Sequence, residues 1–159
     1  MFRALPVPDT VRGKVYLHSM PGRNEPLQAA LDAIHDLGIE HVISLAPLAQ
    51  IWERSPEYAR LIESGATPWQ QDVFPVEDFG VPQDEEVYRI FFQQVSERVR
   101  AGENVLLHCA AGIGRTGMGA ITLLMCLGVD RQTAVETVRR AGSGPEEPPQ
   151  FALLERLAL

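Results

Sequence analysis

The stretch from Asn104 to Gly119, NVLLHCAAGIGRTGMG, constrains this chain more than any other. It opens with the apolar, β-prone run Val105-Leu106-Leu107 and places His108 and Cys109 at the run's C-terminal end. Ala110, Ala111, Gly112, Ile113 and Gly114 follow, then Arg115 and Thr116. Beyond Thr116 the sequence turns apolar and helix-compatible, through Ile121, Leu123, Leu124, Met125 and Leu127. A strand, a small-residue loop and a helix N-terminus form a ready anion site, because unpaired backbone N–H groups converge there. A cysteine at the loop's start and an arginine at its end make that cradle a candidate phosphoryl-transfer site.

Attack on a phosphate monoester needs a nucleophile, a charge clamp and an acid for the leaving oxygen. Cys109 is the candidate nucleophile, since a helix N-terminus beside an arginine favours the thiolate on which such chemistry depends. Arg115 is the clamp: its planar fork suits two phosphoryl oxygens better than a lysine's point charge. Gly112 and Gly114 permit backbone angles that turn successive N–H groups inward. Thr116, a hydroxyl at the helix start, is placed to donate to the sulfur and make it a better leaving group in a second step. His108 abuts Cys109, but alternation along a strand points its side chain the other way. An orienting role fits it better than proton transfer, with simple packing as the alternative.

The rest of the chain supplies a frame for this stretch. Residues 1–13 show no clean periodicity and read as a lead-in. Strands are expected at Lys14–Ser19, His41–Ala46, Trp69–Val76 and Asn104–Cys109. One helix is expected after Asn24 as cap, with Pro26 in its first turn, an apolar stripe of Leu27, Ala30, Leu31 and Ile34, and Gly38 as its stop. A second starts at Ser55-Pro56-Glu57, with Leu61 and Ile62 inward and Gly65 at its end. A longer one follows Asp84, with Glu85 and Glu86 at its positive end and Val87, Phe91, Val95 and Val99 as its stripe. The helix from Arg115 to about Leu127 is apolar nearly all round and belongs at the centre. Asp130 caps another to about Arg140, and a last one carries Phe151, Leu154 and Leu157. Strands alternating with helices predict an α/β fold: a mostly parallel sheet of four to five strands, helices on both faces, one domain over 1–159.

His108 to Thr116 resembles the His-Cys-x5-Arg-Ser/Thr signature of the cysteine-dependent protein tyrosine phosphatases. With the chain's 159 residues, the resemblance is to their small dual-specificity and atypical branch, bacterial and archaeal members included, and extends over about residues 14–157. It implies a protein tyrosine phosphatase-like fold, loop residues 110–115 as the phosphate cradle, and a cysteinyl-phosphate intermediate. It also implies a general acid upstream in an Asp-x-x-x-Pro context, which Asp78-Phe79-Gly80-Val81-Pro82 matches. Asp78 would protonate the leaving group and then deprotonate the attacking water, with Glu77 as a neighbouring competitor. Many relatives carry a water-placing glutamine after a late Gly/Pro loop, and Gln150 stands in such a setting.

Other features point to plainer roles. Cys126 reads as core filler; about 11 helical residues separate it from Arg115, roughly 16 Å, too far for a disulfide with Cys109. His18, His35 and His41 lack metal-ligand spacing, so no metal or other cofactor is expected. Trp52 and Trp69 read as packing residues, and the acidic pairs at 85–86 and 146–147 as a helix start and a solvated loop. Net charge −7 opposes a nucleic-acid or anionic-membrane surface role. No apolar run reaches the ~20 residues of a membrane span, and no signal-peptide core is evident. A cytoplasmic monomer is the default. The resemblance implies a phosphorylated protein or peptide as substrate, carrying phosphotyrosine first and phosphoserine or phosphothreonine second. In the family the chain resembles, members acting on phosphoinositides often carry lysines in this loop, and Ala110, Ala111 and Ile113 supply none. A catalytically silent phosphate-binding module and a sulfur- or arsenate-handling enzyme are the rival readings.

Overall fold

A computed structural model describes residues 2–159. Its strands are Arg3–Leu5 (β1), Val15–His18 (β2), His41–Ser44 (β3), Gln70–Val73 (β4) and Val105–His108 (β5). They form one sheet in the order β1-β2-β5-β3-β4, with β1 antiparallel to β2 and every other pair parallel. The helices are α1 (Leu27–Asp36), α2 (Leu48–Arg54), α3 (Pro56–Glu63), α4 (Glu85–Arg100), α5 (Gly114–Cys126), α6 (Arg131–Arg140) and α7 (Pro148–Arg156). The α/β class with a mostly parallel sheet covered on both faces is as expected.

Strand alternation divides the core into two layers. Leu17, Ile43, Val105 and Leu107 face one layer, packed with Phe92, Val95 and Val99 of α4 and with Met118, Ile121 and Leu124 of α5. Tyr16, Val42 and Leu106 face the other, against Ile34, Ile51, Tyr58 and Ala59 of α1, α2 and α3. β5 lies at the centre of the sheet, and α5 is buried along nearly its whole length, from Gly114 to Leu124. The strand and helix that flank the cradle are therefore both deeply enclosed. In register, His18, Ser44 and His108 end the three neighbouring parallel strands together. Ligand sites in open parallel sheets lie beyond those C-terminal ends.

Several sequence expectations shift. Residues 1–13 are more than a lead-in: Arg3, Ala4 and Leu5 pair with Leu17, Tyr16 and Val15. Helix α2 follows Pro47 where only a strand break was expected. Pro26 is the N-cap of α1, and Asn24 instead donates to the Ser19 hydroxyl. In α3, Tyr58 and Ala59 are buried, whereas Leu61 and Ile62 are half-buried. In α4 the buried stripe is Tyr88, Phe92, Val95, Ser96 and Val99, and Val87 is exposed. The two aromatics, four residues apart, claim the inward face, and the Tyr88 hydroxyl meets Thr122 at 3.0 Å. Phe151 is likewise exposed while Leu153 and Leu154 of α7 are buried. Trp52 is exposed at the α2 surface, where its indole donates to Glu63, and only Trp69 is buried.

Candidate active site

The loop after β5 is held by what receives its carbonyls. Leu45 N–H donates to the His108 carbonyl, Met20 N–H to that of Ala110, and Gly144 N–H to that of Ile113. The Cys109 carbonyl accepts from His108 Nδ1 at 2.9 Å. The Gly112 carbonyl accepts from Arg3 Nη2 at 2.8 Å and the Ser143 hydroxyl at 2.6 Å. In a trans peptide the C=O and the next N–H point opposite ways. Carbonyls held in this way leave the N–H groups of residues 110, 111, 113 and 114 pointing opposite to their tethered carbonyls, available to an anion in the loop. Gly112 is required twice over: its φ is +76°, and a Cβ there would lie 2.5 Å from the His18 carbonyl oxygen.

The cavity, about 170 Å³, is lined by Cys109, Ala110, Ala111, Gly114 and Arg115, with Asp78 and Phe79 across from them. Thr116 donates its hydroxyl to Cys109 Sγ at 3.0 Å. Arg115 is almost fully buried. One guanidinium nitrogen donates to the Val76 carbonyl at 2.9 Å and another lies 3.3 Å from Asp78 Oδ1. Arg115 thereby holds the loop after β4 at two points. Asp78 is 46% exposed at its side chain, and Gln50 of α2 approaches its other oxygen at 3.4 Å. Phe79, next in the chain, has φ +60°, a strained setting for a bulky residue of the kind that clusters at functional loops.

His108 faces the α3 layer, opposite to Cys109. Burial pushes its pKa down to about 4, so the ring is neutral at ordinary pH and carries a single N–H. The Cys109 carbonyl receives that proton from Nδ1, so Nε2 accepts from the Tyr58 hydroxyl at 2.7 Å. Both ring nitrogens are committed to holding the start of the loop. Cys126 stands apart: burial raises its thiol to about 11, the opposite of an activated cysteine.

Gln150 does not line the cavity. It is buried, its Oε1 accepting from Glu146 N–H at 2.8 Å and its Nε2 donating to the Gly80 carbonyl at 3.0 Å. It links the start of α7 to the Asp78 loop. Glu146, expected in a solvated loop, instead lines the cavity with its carboxylate over Gly114. Arg23 and Arg54 complete the rim. Neither carries a local signal in the sequence: Arg23 lies in the turn before α1 and Arg54 ends α2. His18 and His41 end and begin strands and pair with Glu25, Asp72 and Glu103. Among the described residues no group of His, Cys, Asp or Glu side chains is arranged to hold a metal ion.

A central parallel strand, a small-residue anion loop with a cysteine and a buried arginine, and an opposing aspartate define a phosphatase domain of the protein tyrosine phosphatase class. Residues 11–150 match the family described as the Swiss Army Knife DSP-PTPase phosphatase domain, and the chain belongs to that family. A Cupriavidus necator protein named provisionally as a tyrosine-protein phosphatase is 42% identical over 65 residues. That match covers 40% of this chain and 23% of the relative's length. Among solved structures, Tk-PTP in a glycine-to-alanine mutant form superposes with a TM-score of 0.74 at 27% identity, over 98% of this chain and 93% of its own. A kinase associated phosphatase, its catalytic cysteine replaced by serine, shares the fold with a TM-score of 0.82 at 16% identity, over 97% and 91%.

Proposed function

We propose that the chain is a protein phosphatase that hydrolyses phosphotyrosine, and phosphoserine or phosphothreonine more slowly, through a cysteinyl-phosphate intermediate. The observation that carries this reading is the convergence of Cys109, Arg115 and Asp78 on one small cavity. Inward amides and Arg115 bind the phosphoryl oxygens. The Cys109 thiolate attacks phosphorus, and the ester oxygen leaves with a proton from Asp78. Asp78, now a carboxylate, takes a proton from the water that attacks the phosphocysteine; phosphate departs and the thiolate returns, stabilised by Thr116. A 170 Å³ cavity with an exposed Phe79 at its rim suits a phosphoryl group presented on an aromatic ring. The chain acts as one domain, a cytoplasmic monomer on phosphorylated proteins, without metal or other cofactor. No helix among the described residues is long and apolar enough to cross a membrane.

The test is hydrolysis of a small aryl phosphate. Wild type should turn it over, and Cys109→Ser should lose at least about a thousandfold in kcat. A wild type that is inert yet retains phosphopeptides would make the chain a phosphate-binding module instead.

A further inference from the structure

Arg3 belongs to an edge strand, yet its guanidinium reaches the catalytic loop. Nη1 donates to the Ala141 carbonyl at 2.8 Å and to the Ser143 hydroxyl at 2.9 Å; Nη2 donates to the Gly112 carbonyl at 2.8 Å. The Ser143 hydroxyl donates in turn to the same Gly112 oxygen at 2.6 Å. One side chain thus joins β1, the turn after α6 and the back of the cradle. The Gly112 carbonyl shares its peptide plane with the Ile113 N–H, which points the opposite way. We infer that Arg3 is a positioning residue for catalysis: by holding the Gly112 carbonyl outward, it keeps the Ile113 N–H turned toward the bound phosphoryl group.

The inference rests on the phosphatase reading for its substrate, though not for its geometry. A guanidinium is suited to the task, because a bond from a charged donor is about twice as strong as a neutral one and the fork fixes direction. Arg3 also sits where its charge and a Cys109 thiolate attract each other, against the cost of its partial burial. Without it, Ser143 is the one remaining side-chain donor holding the Gly112 carbonyl.

Arg3→Met, Arg3→Lys and Ser143→Ala, each compared with wild type, test this by kcat, KM, inhibition by inorganic phosphate and melting temperature. Removing a donor from an anion hole costs about a hundred- to a thousandfold. A donor misaligned rather than lost should cost Arg3→Met roughly ten- to a hundredfold in kcat/KM, with phosphate inhibition weakened in parallel. Arg3→Lys should recover part of both. Arg3→Met and Ser143→Ala should combine non-additively, because they share one acceptor. A lower melting temperature with kcat/KM and phosphate inhibition unchanged would reduce Arg3 to a strand anchor and overturn the inference. Phosphate protection of Cys109 from iodoacetamide reads the cradle without turnover. An inert wild type whose protection disappears in Arg3→Met sinks the phosphatase reading alone; protection equal in both proteins sinks the role of Arg3.

Discussion

Asp78 does its proposed work from a half-exposed position, with one oxygen on Arg115 and the other toward Gln50. Its contribution should scale with how badly the leaving group needs a proton. Asp78→Asn is expected to slow phosphoserine far more than an aryl phosphate with an acidic phenol, by about 10²–10⁴-fold for the poorer leaving group. Equal losses on both substrates, measured as kcat/KM, would remove Asp78 from the acid's role and bring forward Glu146, the other carboxylate lining the cavity. At this scale the sequence was most legible where chemistry demands adjacency along the chain. The spacing from Cys109 to Thr116 puts the proposed nucleophile, clamp and hydroxyl on one loop and the helix start behind it, so reading the string was nearly reading the candidate site. Arg3, Glu146, Arg23 and Arg54 come from four other segments and meet the loop only through the fold. No local pattern marks them.

Between elements, α7 and the Asp78 loop are joined through Gln150, which gives the residue a placement other than the water-placing one its family resemblance suggested. Its side chain caps the start of α7 and ties down Gly80, two residues from Asp78. Gln150→Leu keeps the volume and leaves those buried partners unpaired, at about 1–3 kcal/mol. The melting temperature should fall by roughly 3–8 °C, and activity on poor leaving groups should fall with it as the acid loop loosens. A stable variant whose only defect is hydrolysis of the phosphocysteine, seen as an accumulating intermediate, would restore the water-placing role. Helices with strong caps, such as α4 after Asp84 and α6 after Asp130, could be read from sequence, since each aspartate accepts the amide three residues on. Helix α2 could not, because Pro47 signals a strand's end and a helix's start equally well. The inward face of α4 was misread because Val87 and Tyr88 both fit a helical stripe, and only the facing layer selects between them.

Across the whole molecule, the burial of His108 should make stability depend on pH. An unfolded histidine titrates near 6.5, while burial holds His108 near 4. Between those values the unfolded chain binds more protons, so stability is complete above about pH 6.5 and declines as pH falls toward 4, by up to ~3 kcal/mol from this group. Urea unfolding at pH 7, 5.5 and 4.5 should show a steeper decline for wild type than for His108→Gln. Parallel declines would mean that other groups set the slope. The loss would fall on the site as well, because the ring that resists protonation also holds the Cys109 carbonyl and, with it, the first turn of the cradle.

The contact between Arg115 and Asp78 has a further meaning for affinity. Without substrate, the clamp already holds an anion of its own. A phosphoryl group arriving at the cavity therefore does not meet a vacant cation; it exchanges with a tethered carboxylate. Its apparent binding strength measures a difference between two rivals, and the rival it displaces is the group proposed to hand over the proton, once it has left the guanidinium and taken one up from solvent. Occupancy of the clamp and release of the acid thus become a single event.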